Sequence, residues 1–179
     1  MILHTARLRL RPFRAADVAA LADLRADPAT MRFMAGGEAA AAPERASAEA
    51  GSLASLWGRA WEEGHPGYAP WAVERRGDGC FLGAAGLRWL PFEGGTTEVM
   101  WMIHRHHRRQ GYATEAAEAA CRWGFATLGL AQLDAFVMPR NEASLGVVRR
   151  LGMAPLGETT ILDMPMLRFR LLAPGKVLA

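Results

Sequence analysis

The spacing of apolar residues changes several times along the chain, and each spacing predicts a different element. Residues 7–11 alternate arginine with leucine, which predicts a strand with its leucines toward the core and its arginines toward solvent, stopped by Pro12. Over residues 44–63 apolar side chains recur every three or four positions, which predicts an amphipathic helix closed by Gly64. Residues 17–25 predict a shorter helix that begins at a capping aspartate.

The middle of the chain contains a run of strands. Residues 71–75, 81–90 and 96–103 are rich in apolar residues, and the turn-forming residues 77–79 and 91–95 separate them. Because short turns join strands that run in opposite directions, these three segments predict an antiparallel meander.

The second half of the chain alternates helix and strand. A helix is predicted from about Tyr112 to Gly129, and residues 133–138 predict a strand that a right-handed crossover places parallel to 96–103. The remaining predicted elements are a helix capped by Asn141 and strands at about 154–159 and 166–172.

Together these elements predict one α/β (α+β) domain over residues 6–172, with a short tail at 173–179. Its centre is a mixed, mostly antiparallel sheet of about seven strands flanked by four helices. A length of 179 residues suits a single hydrophobic core. We interpret residues 36–43, which carry turn residues at both ends, as a mobile connection.

Composition narrows the classes of function. Hydrophobic residues make up 51% of the chain and charged residues 22%, which is ordinary for a globular protein. The 21 basic and 18 acidic residues are interspersed, so no nucleic-acid-binding arm is expected. No apolar run approaches the roughly 18 residues of a membrane helix. Cys80 and Cys121 are too few for a disulfide framework, so a cytoplasmic protein without membrane contact is expected.

A turn rich in basic residues joins the strand at 96–103 to the helix that follows. The first backbone N–H groups of a helix have no partner inside it, and the helix dipole adds positive charge there. Gly111 has no Cβ to block a ligand, and Ala113 keeps the next inward position small. The turn therefore predicts a main-chain site for an anion such as phosphate.

Several motifs around this turn resemble those of a known family. Arg108-Arg109-Gln110-Gly111-Tyr112-Ala113 fits the pattern Gln/Arg-x-x-Gly-x-Gly/Ala, and Thr114-Glu115-Ala116, a helix, a strand and Asn141-Glu142-Ala143-Ser144 follow it. In this order and spacing residues 6–172 resemble the GCN5-related N-acetyltransferases (GNAT). The opening Leu-Arg-Leu-Arg-Pro-Phe and the Asn-x-x-Ser motif are most similar to the RimJ/RimL-type branch, which acetylates protein N-termini or small amines.

The resemblance implies where acetyl-CoA binds. The strand before the turn would hold the pantetheine arm through its main chain, and the turn would hold the pyrophosphate. The two turn arginines would be free to meet an adenosine phosphate or solvent, and Asn141 would both cap its helix and contact the CoA arm. The implied cofactor-binding residues are Trp101, Met102, Ile103, Arg108, Arg109, Gln110, Gly111, Tyr112, Ala113, Thr114 and Asn141.

Acetyl transfer to an amine also needs a base and a proton donor for the departing thiolate. Glu98 is placed to act as the base; alternatively it is an edge carboxylate paired with an arginine. Many family members carry a tyrosine acid where this chain has Val148, and some carry a glutamate base where it has Phe136. The resemblance assigns the acid role to Ser144, which is otherwise an ordinary polar residue in the first turn of a helix.

Three histidines and one cysteine are of residue types that often form metal or nucleophilic sites, but neither kind of site is expected here. His104, His106 and His107 crowd one turn without a carboxylate or cysteine at ligand spacing, so no metal is expected. Cys121 lies on the apolar side of a predicted helix, which is typical of a buried structural thiol rather than a nucleophile.

The acceptor is expected to be a small-molecule amine or a peptide N-terminus. Its pocket would be shaped by residues 28–43, the helix at 44–63 and residues 158–165, where Glu158 and Asp163 could meet an ammonium group. Because the tyrosine acid is missing, a catalytically weak acyl-CoA-binding or regulatory protein is a second interpretation. A nucleic-acid-binding module that uses the His/Arg turn is a third. The sequence is also compatible with a homodimer.

Overall fold

A computed structural model describes residues 1–63, 69–91 and 95–176, and for residues 62 and 63 the backbone alone. The strands are β1 (Leu3–His4), β2 (Leu8–Arg11), β3 (Pro70–Arg75), β4 (Phe81–Leu90), β5 (Thr96–Ile103), β6 (Gln132–Val137), β7 (Ala154–Ile161) and β8 (Met164–Leu172). The α-helices are α1 (Val18–Arg25), α2 (Pro28–Met31), α3 (Pro43–Glu63), α4 (Tyr112–Thr127) and α5 (Glu142–Arg150). The strands form one eight-stranded sheet in the order β1-β2-β3-β4-β5-β6-β8-β7.

The predicted α/β (α+β) architecture with a mixed, mostly antiparallel sheet is confirmed, and two short elements were not predicted. Strand β1 is two residues long and therefore shows no period in the sequence. Helix α2 is a single turn that Pro28 starts, a position where the missing N–H of proline costs nothing. The predicted helix stop at Gly64 and the turn residues 92–94 lie outside the described residues.

The connection predicted to be mobile at residues 36–43 is instead packed. It contains a 3₁₀ turn, Gly37–Ala41, and the side chains of Ala40 and Ala41 are buried against Met31. Alanines next to glycines are typical of a flexible linker, but here their small size allows the chain to lie close to α2.

The sheet consists of two antiparallel parts. Strands β1 to β5 pair antiparallel in chain order, and β6 pairs antiparallel with β8, which pairs with β7. The two parts meet where β6 lies parallel to β5, as the crossover through α4 predicted. Because β5 and β6 run parallel, both strands end at the same edge of the sheet, and α4 and α5 begin just beyond that edge.

Different helices cover the two faces of the sheet. Leu10 and Val99 lie on the face that packs against α4. Ala84 and Met102 lie on the opposite face, with α1 and α3. Since successive side chains of a strand alternate between faces, Glu98 lies on the α1 and α3 face together with Met102.

Of the two arginines of β2, Arg9 is partly exposed, as the period of two predicted, but Arg11 does not face solvent. Arg11 is buried, donates to both carboxylate oxygens of Asp17 at 2.7 Å, and also donates to Glu74. Arg9 donates to Glu74 at 2.9 Å. A buried charge is costly unless it is paired, so these ion pairs fix β2 to β3 and to the turn before α1. The alternation was predicted correctly, but the sequence did not indicate that the arginine face of β2 is covered at Arg11.

Glu74→Gln is expected to lower stability at neutral pH and to flatten its loss in acid. Burial alone would raise the pKa of Glu74, but hydrogen bonds from Arg9 and Arg11 lower it below its ordinary value of 4.5. A carboxylate with a lowered folded pKa contributes stability above its unfolded pKa and loses it as the pH falls through the folded pKa. The glutamine side chain of the variant would have no such charge to lose.

Urea unfolding between neutral pH and about pH 3 measures this effect. We expect the free energy of unfolding of the variant to be lower by about 3 kcal/mol at neutral pH, the scale of a broken buried ion pair. The decline of stability below pH 4.5 should be less steep than in the unsubstituted protein. Glu118→Gln, which removes an exposed ion pair with Arg122, is the control. An identical acid slope in all three proteins would contradict this account.

Candidate active site

Strands β5 and β6 separate along their length. Among the described residues they share a single register pair, Glu98 with Asp134, although β5 continues to Ile103 and β6 to Val137. The strands therefore diverge beyond this pair, and the wedge between them, here called the cleft, opens toward the edge at which α4 begins. Backbone groups that line the cleft have lost their sheet partners and must find others.

The direction of the backbone groups in β5 determines which residues face the cleft. The His104 N–H donates to the Leu82 carbonyl at 2.8 Å, so His104 turns its backbone groups toward β4. This direction alternates with each residue in an antiparallel pair. Trp101 and Ile103 therefore turn their N–H and C=O groups toward the cleft, whereas Met102 turns them toward β4. The prediction that the backbone of Met102 contacts a ligand in the cleft is therefore replaced by one that names Trp101 and Ile103.

The turn between β5 and α4 presents unpaired N–H groups. The N–H groups from Arg109 to Thr114 donate no backbone hydrogen bond to any described residue, and the first bond of α4 runs from the Glu115 N–H to the Gly111 carbonyl at 3.1 Å. Arg109 and Gly111 have φ values of +61° and +81°. Positive φ values of this kind curl the chain so that successive N–H groups converge on one point. Together with the dipole of α4, this row has the geometry expected of the anion site that the sequence predicts.

Arg7 holds this turn in place, a role that sequence reasoning missed. Its backbone N–H and its Nε donate to the carboxylate of Glu115, at 3.0 and 2.7 Å, and its Nη1 donates to the Gln110 carbonyl at 2.9 Å. The guanidinium also lies 4.6 Å from the centre of the Tyr112 ring. Burial alone would raise the pKa of Glu115, but hydrogen bonds from Thr5 and Arg7 lower it, so the carboxylate stays charged.

The two arginines of the turn have different surroundings. Arg108 was predicted to be free, but its Nε donates to the Ile103 carbonyl at 3.0 Å and its Nη2 contacts both Asp27, at 3.3 Å, and Thr30. That prediction is wrong, because the side chain fastens the turn to α2. Arg109 is exposed and forms no ion pair with a described residue, as expected for an arginine that can meet a ligand.

Glu98 lies at the base of the cleft. It is 5% exposed and accepts a hydrogen bond from Nε of Arg88, which lies opposite it on β4. The alternative prediction, an edge carboxylate paired with an arginine, is correct about the arginine partner. It is wrong about the edge, because β5 is an inner strand of the sheet. Glu98 is therefore a buried carboxylate beside the point where β5 and β6 part.

Asn141 and Ser144 lie at the start of α5, on the β6 side of the cleft. The Asn141 side-chain oxygen accepts from the Ser144 N–H at 3.1 Å, so the predicted helix cap is confirmed. The Ser144 side chain is half-buried, and its hydroxyl makes no hydrogen bond to a described residue. Glu98 and Ser144 do not contact each other, so any joint role would require a substrate between them.

A cavity of about 320 Å³ lies next to the end of β6. It belongs to the region expected to receive the acceptor, because the hairpin formed by β7 and β8 supplies most of its wall. Glu158 is exposed there, and its carboxylate is the charged group of the lining. The lining residues are Pro139, Glu158, Thr159, Thr160, Pro165 and Met166.

The histidines and cysteines take structural positions. His104 Nε2 lies 2.8 Å from Asp23 Oδ2, and its Nδ1 accepts from the His106 N–H at 3.4 Å. Burial and the nearby charge of Arg75 lower the pKa of His107. Burial raises the pKa of Cys121 to about 12, so its thiol is unreactive at neutral pH.

Neither a metal cluster nor a membrane-spanning helix is found among the described residues. Within residues 1–61, 69–91 and 95–176, no three His, Cys, Asp or Glu side chains are grouped so that they could hold a metal ion. In the same ranges, no helix has the length and apolar character that crossing a bilayer requires.

A mixed sheet that parts beside a helix start with unpaired N–H groups is the arrangement that the resemblance to N-acetyltransferases implied. A family model described as an acetyltransferase (GNAT) domain matches residues 7–154. The chain therefore belongs to the GNAT acetyltransferase family, and the predicted class of enzyme, an N-acetyltransferase, is confirmed.

Similar proteins support this placement to different extents. The chain is 35% identical over 98 residues to the uncharacterized protein YkkB of Bacillus subtilis, a match that covers 54% of this chain and 56% of YkkB. The chain spans about half the length of the curated relatives it matches. An acetyltransferase structure from Agrobacterium tumefaciens is 27% identical, with a TM-score of 0.79 over 96% of this chain and 94% of that one.

One similar structure contains a coenzyme. RimJ of Mycobacterium smegmatis, solved in complex with CoA-disulfide, is 20% identical and has a TM-score of 0.68 over 93% of this chain and 82% of that one. At this identity the similarity concerns the fold alone.

Proposed function

We propose that the chain is an acetyl-CoA-dependent N-acetyltransferase of the RimJ/RimL type. Its acceptor is the primary amine of a protein N-terminus or of a small molecule. The observation that carries the proposal is the row of unpaired N–H groups from Arg109 to Thr114, which lies at the mouth of the cleft. A diphosphate suits that row, and the amides of a pantetheine arm suit the unpaired edge of β5. The similarity in fold to the RimJ that was solved with CoA-disulfide supports this choice.

Each part of acetyl-CoA has a matching part of the site. The pyrophosphate oxygens would accept from the N–H groups of residues 109–114, and Gly111 allows them to approach the backbone closely. The backbone groups of Trp101 and the N–H of Ile103 would pair with the pantetheine amides, whereas the Ile103 carbonyl already accepts from Arg108. Arg109 is free to meet an adenosine phosphate, and Asn141 borders the cleft from the β6 side. These roles agree with those that the family resemblance implies.

Glu98 and Ser144 would move the protons of the reaction. Glu98 would accept the proton of the attacking amine, directly or through water, as the amine nitrogen bonds to the thioester carbon. The carbon–sulfur bond then breaks, and the departing thiolate would receive a proton from the Ser144 hydroxyl, which takes up another from solvent in the same step. A cleft-facing N–H such as that of Trp101 would polarise the thioester carbonyl. Holding both reactants in the cleft can contribute roughly 7–11 kcal/mol.

The acceptor amine would enter beside the β7–β8 hairpin. The cavity of about 320 Å³ there carries the exposed carboxylate of Glu158, which can attract an ammonium group. We place the enzyme in the cytoplasm, a proposal supported by the free thiols of Cys80 and Cys121. We treat residues 6–172 as one catalytic domain, because a single sheet runs through them.

A second candidate is an acyl-CoA-binding protein with weak catalysis. Arg88 already neutralises Glu98, and Val148, which stands where many family members carry a tyrosine acid, is buried. Both features would reduce the rate of proton transfer without affecting the anion site.

A paired assay separates the two candidates. Thermal unfolding with CoA at about 100 times its dissociation constant should show a stabilisation of about 2.7 kcal/mol for both. Release of free thiol from acetyl-CoA is then followed with a panel of short peptides and small amines. Thiol release with at least one acceptor supports the enzyme, and stabilisation without release supports the binding protein. The absence of stabilisation would contradict both.

Arg7→Met is expected to weaken CoA binding while the fold remains. The substitution keeps an unbranched side chain but removes the contacts that fix Glu115 and the Gln110 carbonyl, so the N–H row would lose part of its preorganisation. We expect the dissociation constant to rise about tenfold, equivalent to roughly 1.4 kcal/mol. Isothermal titration calorimetry measures it. Arg122→Met, which removes an exposed arginine from α4, the helix that contains Glu115, should bind CoA as the unsubstituted protein does. Equal affinities in the two variants would contradict a role for Arg7.

A further inference from the structure

Asp134 is the most enclosed carboxylate among the described side chains. Its side chain is fully buried and accepts five hydrogen bonds. The hydroxyl of Thr96 donates at 3.0 Å. Arg168 donates from Nε and Nη2 at 3.0 and 2.6 Å, and Arg170 donates from the same two atoms at 2.7 and 2.9 Å. These donors hold the carboxylate in one position.

The partners of Asp134 belong to both parts of the sheet. Arg168 and Arg170 lie on β8, while Thr96 lies on β5, on the other side of the cleft. The bond from Thr96 therefore crosses from one antiparallel part to the other. It does so next to the register pair of Asp134 with Glu98, the last point at which β5 and β6 are paired.

We propose that Asp134 is a positioning residue that sets the point at which the cleft closes. An ordinary pair of strands is held in register by a ladder of backbone bonds, but here the ladder ends at one pair. Side chains must then fix the separation of the strands. The inference rests on the proposed function, because the end of the cleft determines how deep the thioester can enter and how far it stops from Glu98.

The charged groups around Asp134 oppose any separation of β5 from β6 at the closed end of the cleft. Movement of β6 away from β5 would break the bond from Thr96 and weaken the ion pairs that balance the buried charge of Asp134. Buried charges and donors without partners are costly, so the strands return to the arrangement that satisfies all of them. A cleft of fixed depth is the result.

The test compares three variants with a control. Thr96→Val is nearly isosteric and removes only the hydroxyl that bonds Asp134 from β5, whereas Thr96→Ser keeps that hydroxyl. Asp134→Asn removes the charge itself. Glu49→Gln breaks an ion pair with Arg25 that joins α1 to α3, away from the cleft, and serves as a control for lost stability. Titration calorimetry with CoA and steady-state kinetics with acetyl-CoA are the two readouts.

We expect Thr96→Val to raise the CoA dissociation constant and the KM for acetyl-CoA by about 10-fold to 100-fold, the range that a displacement of about 1 Å can produce. Thr96→Ser should restore both values, and Asp134→Asn should have an effect at least as large as Thr96→Val. Glu49→Gln should lose stability without a change in either value. Unchanged CoA affinity in Thr96→Val would overturn the proposal, because the hydroxyl would then have only a structural role.

Hydrogen–deuterium exchange of the ligand-free protein separates this proposal from the proposed function. Thr96→Val should speed exchange in the peptide that contains β6, and Thr96→Ser should not. If the unsubstituted protein fails to bind CoA, the proposed function is contradicted, and the positioning role for acetyl-CoA fails with it. If CoA binds and exchange in β6 is the same in all variants, only the role of Asp134 is overturned.

Discussion

Gly111→Ala is expected to weaken CoA binding by about 10-fold to 100-fold, since each tenfold loss corresponds to roughly 1.4 kcal/mol. Gly111 has a φ of +81°, a conformation that costs a residue with a Cβ about 1–2 kcal/mol. A Cβ added there would also lie 3.3 Å from Nη2 of Arg7, the side chain that braces the turn. The chain can relieve both problems by rotating the turn, which would scatter the N–H groups that bind the pyrophosphate. Titration calorimetry with CoA measures the loss.

The same helix supplies a matched control for this substitution. Gly129 follows the C-terminal end of α4, has a φ of +65°, and has no atom within 4 Å of an added Cβ. Gly129→Ala therefore imposes a similar backbone cost far from the cleft. It should lower the melting temperature to a similar degree and leave CoA affinity within about twofold. If both variants lost affinity equally, or neither did, the anion site would not be at Gly111.

Glu98→Gln is expected to lower kcat by about 100-fold to 10,000-fold, the usual contribution of a general base. Glutamine keeps the size of the side chain and can still accept from Arg88, but it cannot take a proton from an amine. The loss should therefore fall on the chemical step, which needs a group that can hold the proton of the amine. CoA affinity should be unchanged, because the pyrophosphate and pantetheine contacts lie elsewhere. Steady-state kinetics and calorimetry on the same preparation measure the two effects.

Two further variants show whether the effect belongs to Glu98 itself. Glu118→Gln removes an exposed carboxylate of α4 and should leave kcat unchanged. Ser144→Ala should also lower kcat, since the serine would act on the thiolate and not on the amine. Full activity of Glu98→Gln across the pH range would mean that Glu98 is only the ion-pair partner of Arg88 and that another group is the base.

The regular elements could be predicted because each has a local cause. The alternation of β2, the period of α3 and the glycines that bound α4 are all visible in short windows of sequence. The helix start and Gly111 of the proposed anion site are visible in the same way, but the positive φ of Arg109 and the contact from Arg7 to the Gln110 carbonyl are not. The family resemblance then linked this turn to acetyl-CoA.

The partners of the charged side chains could not be predicted, because they are distant in sequence. Arg7 and Glu115 are 108 positions apart, and Arg108 and Asp27 are 81 apart. No local pattern shows that such residues meet, so Arg7 was interpreted as solvent-facing and Arg108 as free. The sequence shows that Glu115 lies just after the turn, but it does not indicate which arginine donates to the Glu115 carboxylate.

The direction of the backbone in β5 was also beyond the sequence. The period of two assigns side chains to faces, but it does not tell which residues turn their N–H and C=O groups toward β4 and which toward β6. That choice is fixed by the bond from His104 to Leu82. The sequence therefore included Met102 among the residues expected to meet pantetheine, although its backbone faces β4.

A crystal structure of the chain with CoA tests the central claim most directly. We expect the pyrophosphate oxygens to lie within about 3 Å of the N–H groups of residues 109–114, and the pantetheine arm to lie between β5 and β6 with its thiol directed toward Glu98. CoA bound at another surface, or a cleft that stays empty while the pyrophosphate is held elsewhere, would contradict the account.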